Sequence, residues 1–130
     1  MVFDLFKRSA SAQDELPEGW KHLSSLDELD AAWQRSEHLP VAFFKHSTRC
    51  GISRMVLREF IQQWQQDAPE VELFYLDLLQ HRAISQAIAQ RSGVVHESPQ
   101  VVLVQAGQVL HHASHHSISV AELRKALGNA

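Results

Sequence analysis

Val41-Ala42-Phe43-Phe44 sets four apolar side chains in a row with no polar residue between them. A strand wetted on one face alternates; one that does not must be covered on both, which calls for a sheet lying between helices. The neighbouring segments meet that demand. Upstream, Leu26, Leu29 and Trp33 recur at helical spacing behind Ser25-Leu26-Asp27-Glu28, which has the form of a capping box, and Pro40 closes the segment. Downstream, Ile52, Met55, Val56, Phe60 and Trp64 predict one apolar stripe on a helix that ends at Ala68-Pro69. Residues 71–76 read as the next strand, with Asp77 at its carboxyl end. Ala83, Ile84, Ala87 and Ile88 predict a third helix, stopped at Gly93.

The pattern then changes. Residues 101–104 and 109–112 are short apolar runs separated by Gln105-Ala106-Gly107-Gln108, a hairpin signal. Ser119-Val120-Ala121-Glu122 is a second capping box, opening a helix with Leu123 and Leu127 and Gly128 beyond it. With Lys21-His22-Leu23 as a short first strand, the order is (β)αβαβαββα. Strands separated by helices pair in parallel through right-handed crossovers, and the closing hairpin adds an antiparallel edge. The predicted fold class is α/β, a mixed four- or five-stranded sheet with helices on both faces. It forms a single domain over residues 20–130. Residues 1–19 are a weakly patterned lead-in, whose Phe3, Leu5 and Phe6 are expected to fray rather than dock.

Charge and cysteine content narrow the chemistry. Twelve Lys and Arg against fifteen Asp and Glu leave a net charge of -3, so no nucleic-acid partner is expected. No apolar run approaches the ~18 residues of a membrane span, so no membrane partner is expected either. The first ten residues lack a secretory apolar core, and the expected location is cytoplasmic. A single cysteine, Cys50, excludes an intramolecular disulfide, a two-thiol redox motif and an all-cysteine zinc site.

That thiol lies in Lys45-His46-Ser47-Thr48-Arg49-Cys50-Gly51-Ile52-Ser53, where a buried strand hands over to a helix. Free backbone N–H groups and the positive end of the helix dipole favour an anion there, and so the thiolate. Arg49 and Lys45 can add positive charge, and Ser53 can offer its hydroxyl to the sulfur. Cys50 can also be read as a small buried apolar residue, as free cysteine commonly is. The polar flanks Thr48, Arg49 and Ser53, and a place outside the apolar stripe, favour a reactive thiol.

A second feature is His96-Glu97-Ser98-Pro99-Gln100, directly before the hairpin. A trans proline is the commoner strand opener taken alone; beside the Cys50 unit, a cis Ser98-Pro99 bond is the expectation. The Ser98 backbone would then face outward and could pair with a peptide-like ligand as a short added strand.

Together these residues resemble the YtxJ-like monothiol bacilliredoxin family of the thioredoxin-like fold. The stretches that carry the likeness are Phe44 to Cys50 with Ile52-Ser53; Asp77 with Arg82 and Ser85; His96 to Gln100; and Ala113-Ser114-His115 with Ile118. The resemblance implies a thiol-disulfide oxidoreductase that removes a low-molecular-weight thiol, typically bacillithiol, from mixed disulfides on cytosolic proteins. It makes Cys50 the nucleophile and Pro99 a cis-proline beside it, and puts Ser53 where dithiol relatives have a second cysteine. Lys45, Arg49, Gly51, Ser98 and Pro99 are the expected ligand-binding residues. The small thiol is a co-substrate, and no metal or other cofactor is expected.

Gly51 departs from the family's usual proline, so that Cys50-Gly51-Ile52-Ser53 approaches the Cys-Gly-Phe-Ser of monothiol glutaredoxins. Glutathione and iron–sulfur cluster binding is therefore one alternative, and a noncatalytic thioredoxin-like adaptor another. Against the glutaredoxin reading, His111-His112-Ala113-Ser114-His115-His116 stands where that family has Gly-Gly-Asp. Imidazoles suit zinc, copper or nickel, yet adjacent strand histidines face opposite ways. His111, His112, His115 and His116 are thus expected as strand-end and loop residues, with His115 packed or hydrogen-bonded inside. His46 and His96 are better placed to tune the thiol or hold a ligand carboxylate.

Overall fold

The computed structural model describes residues 16–128; the expectations for Phe3, Leu5 and Phe6 lie outside them. Its elements are β1 Lys21–His22, α1 Leu26–Arg35, β2 Val41–His46, α2 Gly51–Asp67, β3 Glu72–Asp77, α3 Arg82–Ser92, β4 Gln100–Gln105, β5 Gln108–Ser114, a 3₁₀ turn His115–Ser117, and α4 Val120–Ala126. The strands form one sheet in the order β1-β3-β2-β4-β5. β1, β3 and β2 are parallel, while β4 and β5 pair antiparallel, as the helix-separated strands and the closing hairpin require.

Alternate residues of β2, β3 and β4 feed two cores. Ala42, Phe44, Tyr75, Val101 and Leu103 pack with Val56, Phe60 and Trp64 of α2 and Leu123 of α4. Val41, Phe43, Phe74, Leu76, Val102 and Val104 pack with Leu29 and Ala32 of α1 and Ile84 and Ile88 of α3. All six residues of β2 are buried, so the strand runs two residues beyond the apolar run and takes Lys45 and His46 inside with it.

Two predicted stripes hold at Val56, Phe60, Trp64 and Leu29 but not at their N-terminal ends. On α2 the buried residues are Ser53, Val56, Leu57, Phe60 and Trp64, whereas Ile52 and Met55 are 49% and 43% exposed. Positions 53, 56, 57, 60 and 64 form a 3.6-residue seam, and its first member is a serine, so residue type misplaced the stripe in the first turn only. Leu26 of α1 is likewise exposed, and the face turned inward is Leu29 and Ala32.

The capping boxes also differ in detail. Ser25 Oγ accepts from Glu28 N–H at 3.0 Å, but the Glu28 carboxylate reaches past Ser25 to accept from the N–H and hydroxyl of Ser24, which holds its pKa below the ordinary value. Ser119 Oγ accepts from Glu122 N–H at 3.1 Å. The hairpin closes more tightly than a four-residue link, through Ala106-Gly107 alone, with φ of 54° and 75°. Two positive φ values match the twist of the flanking strands. Ser36, at the end of α1, holds this turn: its carbonyl accepts from Ala106 N–H at 2.7 Å and its hydroxyl from Gly107 N–H at 3.0 Å.

Ala106 is exposed and has left-handed backbone, a conformation that asparagine tolerates far better than alanine. Ala106→Asn is expected to raise stability by about 0.5–1 kcal/mol, read as a higher urea midpoint at unchanged slope.

Candidate functional site

β2 and β3 run parallel and end in register at His46 and Asp77, and α2 and α3 both begin just past that edge. β4 returns alongside β2 with Gln100 opposite Lys45, which brings Ser98 and Pro99 to the same edge. Topology therefore gathers residues far apart in sequence around the start of α2. The Ser98-Pro99 bond is cis, Pro99 is buried, and the Pro99 carbonyl accepts from His115 N–H at 3.0 Å.

Cys50 is the N-cap of α2, partly exposed, with extended backbone (φ −100°, ψ 122°) and no capping bond from its side chain. Its N–H donates to Ser47 O at 3.2 Å and its carbonyl accepts from Arg54 N–H at 3.0 Å. α2 and α3 both start without a side-chain cap and without an acid in the first turn. α1 and α4 start on a serine cap with acids following. The chain thus leaves its positive helix ends uncompensated at the thiol edge.

Ser53 is fully buried one turn into α2. Its oxygen accepts from Ser47 N–H at 3.1 Å and lies 2.8 Å from His46 Nδ1. The hydroxyl has one proton and two acceptor sites, so its contact with the neutral His46 ring takes either direction, according to which ring nitrogen carries the proton. Burial pushes His46 down to about 4, against the pull of Asp77. The contacts of the Ser53 hydroxyl are thus to Ser47 and His46.

Lys45 points to the other face of the sheet and is fully buried. Nζ lies 3.2 Å from His96 Nδ1, and Ser85 Oγ of α3 lies 3.3 Å from the same nitrogen. Burial lowers Lys45 to about 8, and His96 is lowered by burial and by the Lys45 charge. Arg49 and Gly51 are exposed beside Cys50, and Ser98 is half-buried with an unpartnered hydroxyl.

Two residues escaped the sequence reading. Arg54 Nη1 donates to Thr48 O at 3.1 Å and pins the turn that carries Cys50; its signal was a basic residue four beyond the thiol. Ser85 was visible only as part of a family match. The histidine expectations divide: His111 and His112 sit opposite Leu103 and Val102 and so face opposite ways, but His115 is exposed. It opens the 3₁₀ turn with φ of 55°, which turns its side chain out while its N–H bonds Pro99. Among the described residues, no three His, Cys, Asp or Glu side chains are grouped to hold a metal ion.

The family described as "Monothiol bacilliredoxin BrxC" matches residues 21–123. The chain belongs to the monothiol bacilliredoxin family. Among solved structures, one provisionally assigned as an oxidoreductase with a thioredoxin fold is similar at a TM-score of 0.73 and 28% identity, over 84% of this chain and 94% of that one. Thioredoxin O2 from Arabidopsis thaliana is similar at 0.63 and 19%, over 85% and 92% of the two chains. Mitochondrial thioredoxin 3 from Saccharomyces cerevisiae is similar at 0.64 and 18%, over 85% and 94%. The fold is thioredoxin-like, and family and fold together suggest an oxidoreductase.

Two outcomes test how this bacilliredoxin builds its site. Gly51 is the first residue of α2, a Cβ there would meet only Arg54 Nη2 at 4.0 Å, and Cys50 already has pre-proline backbone. Gly51→Pro is expected to raise stability by about 0.4–1 kcal/mol in thermal or urea unfolding. His46, at about 4 folded against 6.5 unfolded, stays neutral while the unfolded chain binds a proton. Its contribution is complete above pH 6.5 and is lost as pH falls toward 4, by up to about 3 kcal/mol. Urea unfolding across that window should show a shallower pH slope in His46→Gln than in wild type.

Proposed function

We propose that this bacilliredoxin removes a low-molecular-weight thiol of the bacillithiol type from mixed disulfides on cytoplasmic proteins, with Cys50 as the nucleophile. The observation that carries the reading is a lone, partly exposed thiol at the start of a helix that has neither a cap nor an acid to oppose an anion. The Cys50 thiolate attacks the small-thiol sulfur of the mixed disulfide. The new S–S bond forms as the old one breaks, and the substrate protein leaves as a thiolate that takes a proton from water. A second small-thiol thiolate then attacks the adduct on Cys50, releasing the symmetrical small disulfide and restoring the Cys50 thiolate. The electrons come from the small thiols, and no metal or nucleotide takes part. Lys45, Arg49, Gly51 and the Ser98-Pro99 segment are the residues assigned to hold the small thiol. Ser53 acts on the turn through His46 and Ser47 rather than on the sulfur.

Intact mass spectrometry after exposure to oxidised bacillithiol and to oxidised glutathione should show one adduct, on Cys50, removed by the matching thiol. Ser53→Cys would supply a Cys-X-X-Cys pair and should expel the adduct as an internal disulfide. Cys50→Ser should lose both adduct and activity. Clearance of a protein mixed disulfide by Cys50→Ser at the wild-type rate would overturn the mechanism.

A further inference from the structure

Lys45 is 0% exposed, and no acidic side chain among the described residues forms an ion pair with it. A buried ammonium without a carboxylate is an unusual thing for a fold to keep, because taking the charge out of water is only offset by a well-placed opposite charge. Its partner is instead the neutral Nδ1 of His96, at 3.2 Å. An ammonium can only donate, so Nδ1 is an acceptor; Ser85 Oγ, 3.3 Å from the same atom, can donate to it as well. Two donors from different elements, one of them cationic, thus converge on one ring nitrogen. His96 itself is exposed, on the irregular segment between α3 and Pro99. Nζ is therefore one side chain away from solvent, at the edge of the sheet that carries Cys50.

We infer that His96 is an exchangeable acceptor, and that a carboxylate of the small thiol takes its place between Lys45 Nζ and Ser85 Oγ, so that the site selects anionic small thiols. A carboxylate oxygen can accept from both donors as Nδ1 does, and it adds the negative charge that the imidazole lacks. The exchange moves one exposed ring and leaves both donors where β2 and α3 hold them. This rests on the proposed thiol exchange at Cys50 and adds the chemical class of its co-substrate.

The test has two arms. In the first, a reporter protein carries mixed disulfides of mercaptosuccinate, 2-mercaptoethanol or cysteamine, which are anionic, neutral and cationic. Wild type should show a KM at least tenfold lower for the mercaptosuccinate adduct than for the neutral one. Lys45→Met should abolish that preference, bringing the KM for the anionic substrate to that for the neutral one. His96→Ala should lower the KM for the anionic substrate, and Ser85→Ala should raise it severalfold. Equal KM values in wild type, or an equal loss on all three substrates in a folded Lys45→Met, would overturn the proposal. If Lys45→Met does not fold, His96→Ala decides, and an unchanged or higher KM for the anionic substrate overturns it. The second arm titrates succinate into Cys50→Ser protein and follows the His96 ring by NMR, which reads the subsite with no thiol chemistry. A saturable His96 shift supports the subsite even if exchange at Cys50 fails, and no shift overturns it.

Discussion

β2 is covered by helices on both faces, yet its last two residues are a lysine and a histidine. Strand alternation sends one polar side chain to each side of the sheet, so each must find its partner in a different layer. His46 meets this demand inside α2, through the Ser53 hydroxyl, and Lys45 meets it through His96 and Ser85. These two contacts tie the end of the central strand to α2 on one side, and to α3 and the loop before Pro99 on the other. Ser47, at the start of the Cys50 turn, is attached to the first, and the segment before Pro99 to the second.

The two halves of that arrangement differ in character. The His46–Ser53 contact is buried: Ser47 N–H donates to the Ser53 hydroxyl, which lies in hydrogen-bond contact with His46 Nδ1. The Lys45–His96 contact reaches the surface and leaves a charge without its opposite. A fold that needed only rigidity would be expected to bury an apolar residue at position 45, since polar networks that are incompletely matched are worse than apolar packing. The asymmetry separates a clamp on the α2 side from a receptive group on the α3 side.

Much of the fold was legible because the signals were local. The unbroken Val41 to Phe44 run, two serine caps, Gly93 and the Gln105 to Gln108 link place most elements within a few residues. The stripe of α2 was legible at Val56, Phe60 and Trp64 but not at its first turn, where the seam opens with Ser53, which meets a histidine seven residues earlier on another element. The site was legible in the same uneven way. Cys50, Lys45, Ser98 and Pro99 stand in recognisable contexts. The meeting of Lys45, Ser85 and His96 spans fifty-one residues of sequence, follows from the parallel crossover and the return of β4, and has no periodic or motif signature.

The burial of Ser53 bears on how a one-thiol chain of this fold can work. In a dithiol relative, a sulfur at this position would resolve the adduct from within. Here the position is taken by a buried hydroxyl, which cannot form a disulfide and which contacts Ser47 and His46. Resolution must therefore come from a second small molecule, and its rate depends on how well the first one is held with its sulfur open to attack. Contacts distant from the sulfur hold the adduct without crowding that approach, and so complement those beside it. A charged anchor at the strand end, on the opposite face of the sheet from α2, meets this requirement.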